Sequence, residues 1–149
     1  MKILCAVDGS PGSEKTVQAL AEHAWPPGTT IRILAVAEKV HPTVLELVAT
    51  RQRPSDVQHS LDVRCENAAV TAASKLKRVG ITSESESCEG NPKSVIVEHA
   101  RRWGAELIVV GLYRRSRLCR LLFGSVAKTV VANAPCSVLV IRHTENAAE

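Results

Sequence analysis

The stretch Ile3-Leu4-Cys5-Ala6-Val7-Asp8-Gly9-Ser10-Pro11-Gly12 decides the fold. Its first half is an apolar run without alternation, and its second half is built from turn formers. A short run of that kind reads as a strand buried on both faces, the hallmark of a parallel sheet. Ser10 before Pro11 is the pattern of a helix N-cap followed by proline at the first helical position. Val17, Leu20, Ala21 and Ala24 then supply a helical stripe, which Pro26-Pro27-Gly28 stops. Thr30 to Ala37, TIRILAVA, is the next strand.

Working outward, the alternation continues. Residues 38–54 fit either a short helix through Val44, Leu45, Leu47 and Val48 or an ordered loop over one sheet end. Ser55-Asp56 opens a long helix whose face is Val57, Leu61, Cys65, Ala68, Ala72, Leu76 and Val79, with Gly80 as its C-terminal cap. Ile81 to Cys88 alternates Ser with Glu, a polarity suited to a sheet edge. Gly90-Asn91-Pro92 opens a helix with Val95, Ile96, His99, Ala100 and Trp103 on one side, closed by Gly104. Leu107 to Val110 is the fourth strand, and residues 111–124 form a glycine-bounded loop. Ser125 caps a helix with Val126, Val130 and Val131 inward, ended by Pro135. Ser137 to Ile141 is the fifth strand, followed from His143 by a polar, fraying tail. Strands alternating with helices imply a doubly wound α/β fold: a parallel sheet, right-handed crossovers and helices on both faces.

Composition narrows the function classes. The chain has 149 residues, 45% hydrophobic and 23% charged, which suits one domain with one sizeable core. Its few aromatics, Trp25, Trp103, Tyr113 and Phe123, are a poor supply of stacking platforms for single-stranded nucleic acid. Cys5, Cys65, Cys88, Cys119 and Cys136 are odd in number and form no C-x-x-C, which argues against a disulfide scaffold or zinc site. Cys5 and Cys136 sit in apolar strand contexts and read as core, while Cys119 lies among arginines that would lower its thiol pKa. No apolar run approaches the roughly 20 residues of a membrane span, and no secretory leader is visible; a cytoplasmic protein is expected.

Open parallel sheets bind ligands at the carboxyl ends of strands, where strand order reverses. Two such ends carry suitable residues: Ala6-Val7-Asp8-Gly9-Ser10, and Val110-Gly111 leading to Gly124-Ser125-Val126. The second ends at a helix N-terminus, whose free N–H groups and dipole favour phosphate. Ordinary turn and cap chemistry accounts for the same residues, so this pattern alone leaves both readings open. P-loop, G-x-G-x-x-G and H-E-x-x-H motifs do not occur, and the histidines lack ligand-like spacing.

Taken together, strand-Asp8-Gly9-Ser10, Gly90-Asn91-Pro92, Ala105-Glu106-Leu107-Ile108-Val109-Val110-Gly111, and the ending from Leu121 through Gly124-Ser125-Val126 and Ala134-Pro135-Cys136 to Ile141 resemble the universal stress proteins. The likeness runs from residue 1 to about 142, which is read as one domain with residues 143–149 as a tail. It implies a five-stranded sheet in the order 3-2-1-4-5, with SVLVI at one edge and homodimers common. One branch of the family binds ATP through Gly, two residues, Gly, nine residues, Gly, then Ser or Thr; Gly111, Gly124 and Ser125 match, and Arg114 replaces the second glycine.

The resemblance therefore implies a site for ATP or a related adenine nucleotide, with or without Mg²⁺, at Ala6, Asp8, Val36, Gly111, Arg114, Gly124, Ser125 and Val126. Arg115, Arg117 and Arg120 are candidate anion contacts. The four arginines of the 111–124 loop equal the chain's net +4, so the excess charge is local. Asp8 is the single carboxylate expected at the mouth, too few for efficient phosphoryl transfer, so a weak ATPase at most is expected. Two readings follow: a stress-response regulatory module working by nucleotide occupancy, or a non-nucleotide interaction protein whose Arg loop fills the phosphate site. Pairing of exposed Ser137–Ile141 edges would give a homodimer; no membrane and no specific nucleic acid is expected as partner, and a regulatory protein partner is unidentified.

Overall fold

In the computed structural model, the described residues are 1–40, 53–113 and 124–143. They form strands β1 (Lys2–Val7), β2 (Thr30–Ala37), β3 (Thr82–Glu89), β4 (Leu107–Tyr113) and β5 (Ser137–His143). The helices are α1 (Pro11–Glu22), α2 (Pro54–Arg78), α3 (Pro92–Trp103) and α4 (Ser125–Asn133). All strands pair in parallel, in the order β3-β2-β1-β4-β5. This is the doubly wound architecture expected from the alternation.

The apolar strands fill two layers because successive side chains point to opposite faces. Ile3, Cys5, Ile31 and Ile33 pack with Val17 and Leu20 of α1 and Ala69 and Leu76 of α2. Leu4, Leu34 and Ile108 pack on the other side with Ile96 and Ala100 of α3 and Val130 of α4. Leu4 and Ile33 are fully buried, and burying such a residue contributes about 1.5–3 kcal/mol.

Local signals behave as chemistry requires. Ser10 Oγ accepts from Ser13 N at 3.2 Å, capping α1 with Pro11 in its first turn. Gly104 closes α3 in the left-handed region, φ +70°, and Gly80 follows α2 at φ +83°. Some boundaries shift. α2 starts at Pro54, not at Ser55-Asp56, because proline fits the first turn. β4 continues beyond Val110 through Gly111 to Tyr113, because β5 carries the ladder on: Gly111 pairs with Ile141 and Tyr113 with His143. Val131 points outward and is 51% exposed; α4 buries Ala127 and Val130, and a neighbour one residue on lies about 100° round the helix. Of the ambiguous segment 38–54, residues 41–52 lie outside the described residues, as do residues 114–123, with the four arginines and Cys119, and residues 144–149.

Candidate functional site

The site grows from the point where strand order reverses, between β1 and β4. At the end of β1, Asp8 Oδ1 accepts from Ser10 N at 2.9 Å, an Asx turn. Gly9 allows it by adopting φ +74°. One carboxylate oxygen is thereby fixed, and the Asp8 side chain stands exposed at the mouth. A cleft of about 440 Å³ opens beside it.

Five sequence-predicted residues meet around that cleft: Ala6, Asp8, Val36, Gly111 and Val126. Gly124 and Ser125 sit one step away at the start of α4 and do not line it. Arg114, Arg115, Arg117 and Arg120 lie outside the described residues. The cleft takes further walls that sequence reading missed: Leu61 and Cys65 from α2, Pro92 and Ile96 from α3, and Leu34 under Val36. Glu38 also lines it, so Asp8 is not the sole carboxylate there. Apolar walls with a few polar groups at one end are the usual make-up of a site for a small organic ligand.

Two glycines carry different meanings. A Cβ at Gly111 would overlap Thr16 Oγ1 of α1 and lie 3.6 Å from Gly12 O, so its missing side chain serves helix–sheet contact. That contact also holds Thr16 Oγ1, which donates to Gly12 O at 3.0 Å. Gly124 is the opposite case: its φ is −52° and a Cβ there would meet nothing within 4 Å among the described residues. Gly124, not Ser125, occupies the N-cap of α4, and among the described residues no side chain caps that end. A helix N-terminus presents backbone N–H groups and a positive dipole end, the arrangement that favours an anion.

Beside the cleft, Gln58 of α2 clamps the chain leaving β2. Its Oε1 accepts from Val40 N at 3.1 Å, and its Nε2 donates to Asp62 Oδ1 at 3.0 Å. Burial raises the Cys65 thiol above its ordinary range, with Asp62 and Asp8 adding to the shift and Arg64 opposing it. Burial raises the Cys136 thiol, against a lowering by the Ile108 backbone, but the residue lies half-buried in the bend before β5 and not in the strand core as expected. Among the described residues, no group of three His, Cys, Asp or Glu side chains is placed to hold a metal ion, and no helix is long and apolar enough to cross a membrane.

A doubly wound five-stranded sheet with a cleft at its switch point defines a class of ligand-binding α/β proteins. The chain belongs to the universal stress protein family, whose family model matches residues 1–142. It is 30% identical over 148 residues to universal stress protein YxiE of Bacillus subtilis, covering 95% of this chain and 98% of that one. Universal stress protein UspA from Lactobacillus plantarum shares the fold at TM-score 0.76 and 24% identity, covering 95% of this chain and 97% of that one. So do structures determined with nucleotides. The Archaeoglobus fulgidus protein with dAMP gives TM-score 0.67 at 24% identity, over 95% of this chain and 97% of that one. An Arabidopsis thaliana family protein with AMP bound gives 0.67 at 19%, over 100% and 95%. A universal stress protein with cAMP gives 0.64 at 22%, over 95% and 96%.

Proposed function

We propose that the cleft binds an adenine nucleotide and that the protein works by occupancy, as a stress-response regulatory module without efficient turnover. The observation that carries this is the meeting of Ala6, Asp8, Val36, Gly111 and Val126 around one cleft of nucleotide size. Relatives of this fold solved with dAMP, cAMP and AMP support it. In this reading the base lies among Val36, Leu34, Leu61 and Ile96, and Asp8 accepts from the ribose. The phosphates run toward Gly124, Ser125 and the first turn of α4, where the open space at Gly124 lets them approach the backbone. Arg114 adds charge at that end, with Arg115, Arg117 and Arg120 as further anion partners. ATP is the fullest match to the signature, and Mg²⁺ would accompany its phosphates. We also read the chain as a cytoplasmic homodimer joined through β5.

Thermal unfolding with ATP, ADP, AMP and cAMP, each with and without Mg²⁺, tests the reading. A nucleotide at about 100 times its Kd raises stability by about 2.7 kcal/mol. No shift with any of them at millimolar concentration removes the nucleotide reading and favours the interaction protein. An Arg114→Gly variant that alone gains binding would show that the replaced glycine closes the site.

A further inference from the structure

Between α3 and the edge strand β3, beside the cleft wall at Val36, three side chains from two elements stand in line. His99 Nδ1 lies 3.4 Å from Glu86 Oε1, and His99 Nε2 lies 4.0 Å from Cys88 Sγ. Glu86 and Cys88 are two residues apart on β3, so they point to the same face of the sheet. His99 reaches both from α3. Among the described residues β3 is an edge strand, with no strand beyond it. Cys88 is half-buried and open to solvent, and His99 keeps 16% of its side-chain surface exposed.

Packing alone does not require this order of groups. An N–H at Nδ1 donates to the carboxylate and leaves the Nε2 lone pair directed at the thiol. A nucleophile, a base within hydrogen-bond reach and a third group orienting that base form the general arrangement of nucleophilic catalysis. Glu86 is itself steadied by Arg32, whose Nη1 lies 3.3 Å from Glu86 Oε2. We propose that Cys88, His99 and Glu86 form a thiol-exchange site that accepts small soluble disulfides.

In the reaction, the Cys88 proton passes to His99 Nε2 as Sγ attacks one sulfur of the disulfide. A new S–S bond forms, the old one breaks, and the departing thiolate takes the proton back from His99. Cys88 ends as a mixed disulfide and the small molecule as one free thiol, with no other oxidant needed. Glu86 acts as a positioning residue that fixes the imidazole. Burial, followed by Glu86 and Cys65, holds the resting Cys88 thiol above its ordinary range, against a lowering by Arg102. An unassisted thiol in this setting exchanges slowly, so speed at Cys88 reports the base.

The test follows mixed-disulfide formation with oxidised glutathione at each cysteine by peptide mass spectrometry, across about pH 5 to 9. In the wild-type chain Cys88 exchanges faster in the folded protein than in the same chain unfolded in urea. His99→Gln slows it about tenfold or more near pH 7 and restores the steep pH dependence of an unassisted thiol, about tenfold per pH unit. Glu86→Gln, which leaves Arg32 its Glu84 partner, slows exchange by a smaller factor and guards against a folding defect in His99→Gln. Wild-type exchange rate and pH slope in either folded variant overturn the proposal. So does a wild-type Cys88 slower when folded than unfolded.

Discussion

The two edges of the sheet are built on opposite plans. β3, TSESESCE, is polar, and its charges are tied down: Arg32 Nε pairs with Glu84 Oε1 at 2.7 Å and Arg32 Nη1 with Glu86 Oε2 at 3.3 Å. The Arg32 guanidinium also stacks over Trp103, 4.4 Å from the ring centroid. β5, SVLVIRH, carries no charge until Arg142 and leaves Leu139 39% exposed. Unpaired strand edges recruit other strands, and charge is one way to prevent it. Among the described residues, one edge is guarded by charge and the other is left apolar, and the proposed dimer through β5 rests on that contrast.

The largest effect should come from making the β5 edge resemble β3. Leu139→Glu sets like charges near each other across a two-fold β5–β5 contact and should weaken dimerisation by roughly 100-fold or more. Sedimentation velocity reads it; a wild-type chain already monomeric at micromolar concentration sinks the pairing. Next comes the strand between the edges. Gly111→Ala drives a methyl into Thr16 Oγ1 and should cost about 1–3 kcal/mol in denaturant unfolding, with the association state unchanged.

A smaller handle sits at the centre of the sheet, in β1. Burial pushes the Cys5 thiol up to about 12 from an ordinary 9.0. The unfolded chain releases this proton first, so the folded state binds more protons between those two pKa values, and stability must fall as pH rises through that window. The slope is at most about 1.4 kcal/mol per pH unit and should be reduced in Cys5→Ala. It should also be the same in Leu139→Glu, because the edge change does not reach β1. The least effect is expected at the guarded edge itself: Arg32→Ala should cost about 0.5–1 kcal/mol, since both Glu partners are partly exposed and screened. A drop of several kcal/mol would mean that β3 is held by its ion pairs rather than by the layer beneath.

The edge contrast was visible in the letters alone: Ser and Glu alternate from Ser83, and SVLVI is apolar throughout. The strand–helix order was visible for the same reason, because periodicity reports burial. Periodicity could not report which end of a stripe meets the ligand. Leu61, Cys65 and Ile96 read as ordinary helix stripe, yet they line the cleft. It also misplaced Val131, since adjacent valines on one helix cannot both face inward. Gly111 shows a different limit. Its immediate neighbour is a threonine side chain from α1, a contact of high sequence separation that no local pattern reports. Pairing with β5 likewise carried β4 past the glycine that punctuation alone would take as its end.

The Gln58 clamp has a mechanical consequence. Leu61 and Cys65 stand one and two helical turns beyond Gln58 on α2, so cleft wall and clamp share one rigid rod. Any displacement of that rod by a molecule in the cleft is carried to Glu38 and Val40, through Gln58 contacts to Glu38 O at 3.5 Å and Val40 N at 3.1 Å. On the proposed reading, the place where the chain departs toward residue 41 is linked through Gln58 to a molecule in the cleft. The amide of one glutamine acts as the coupling pin between them.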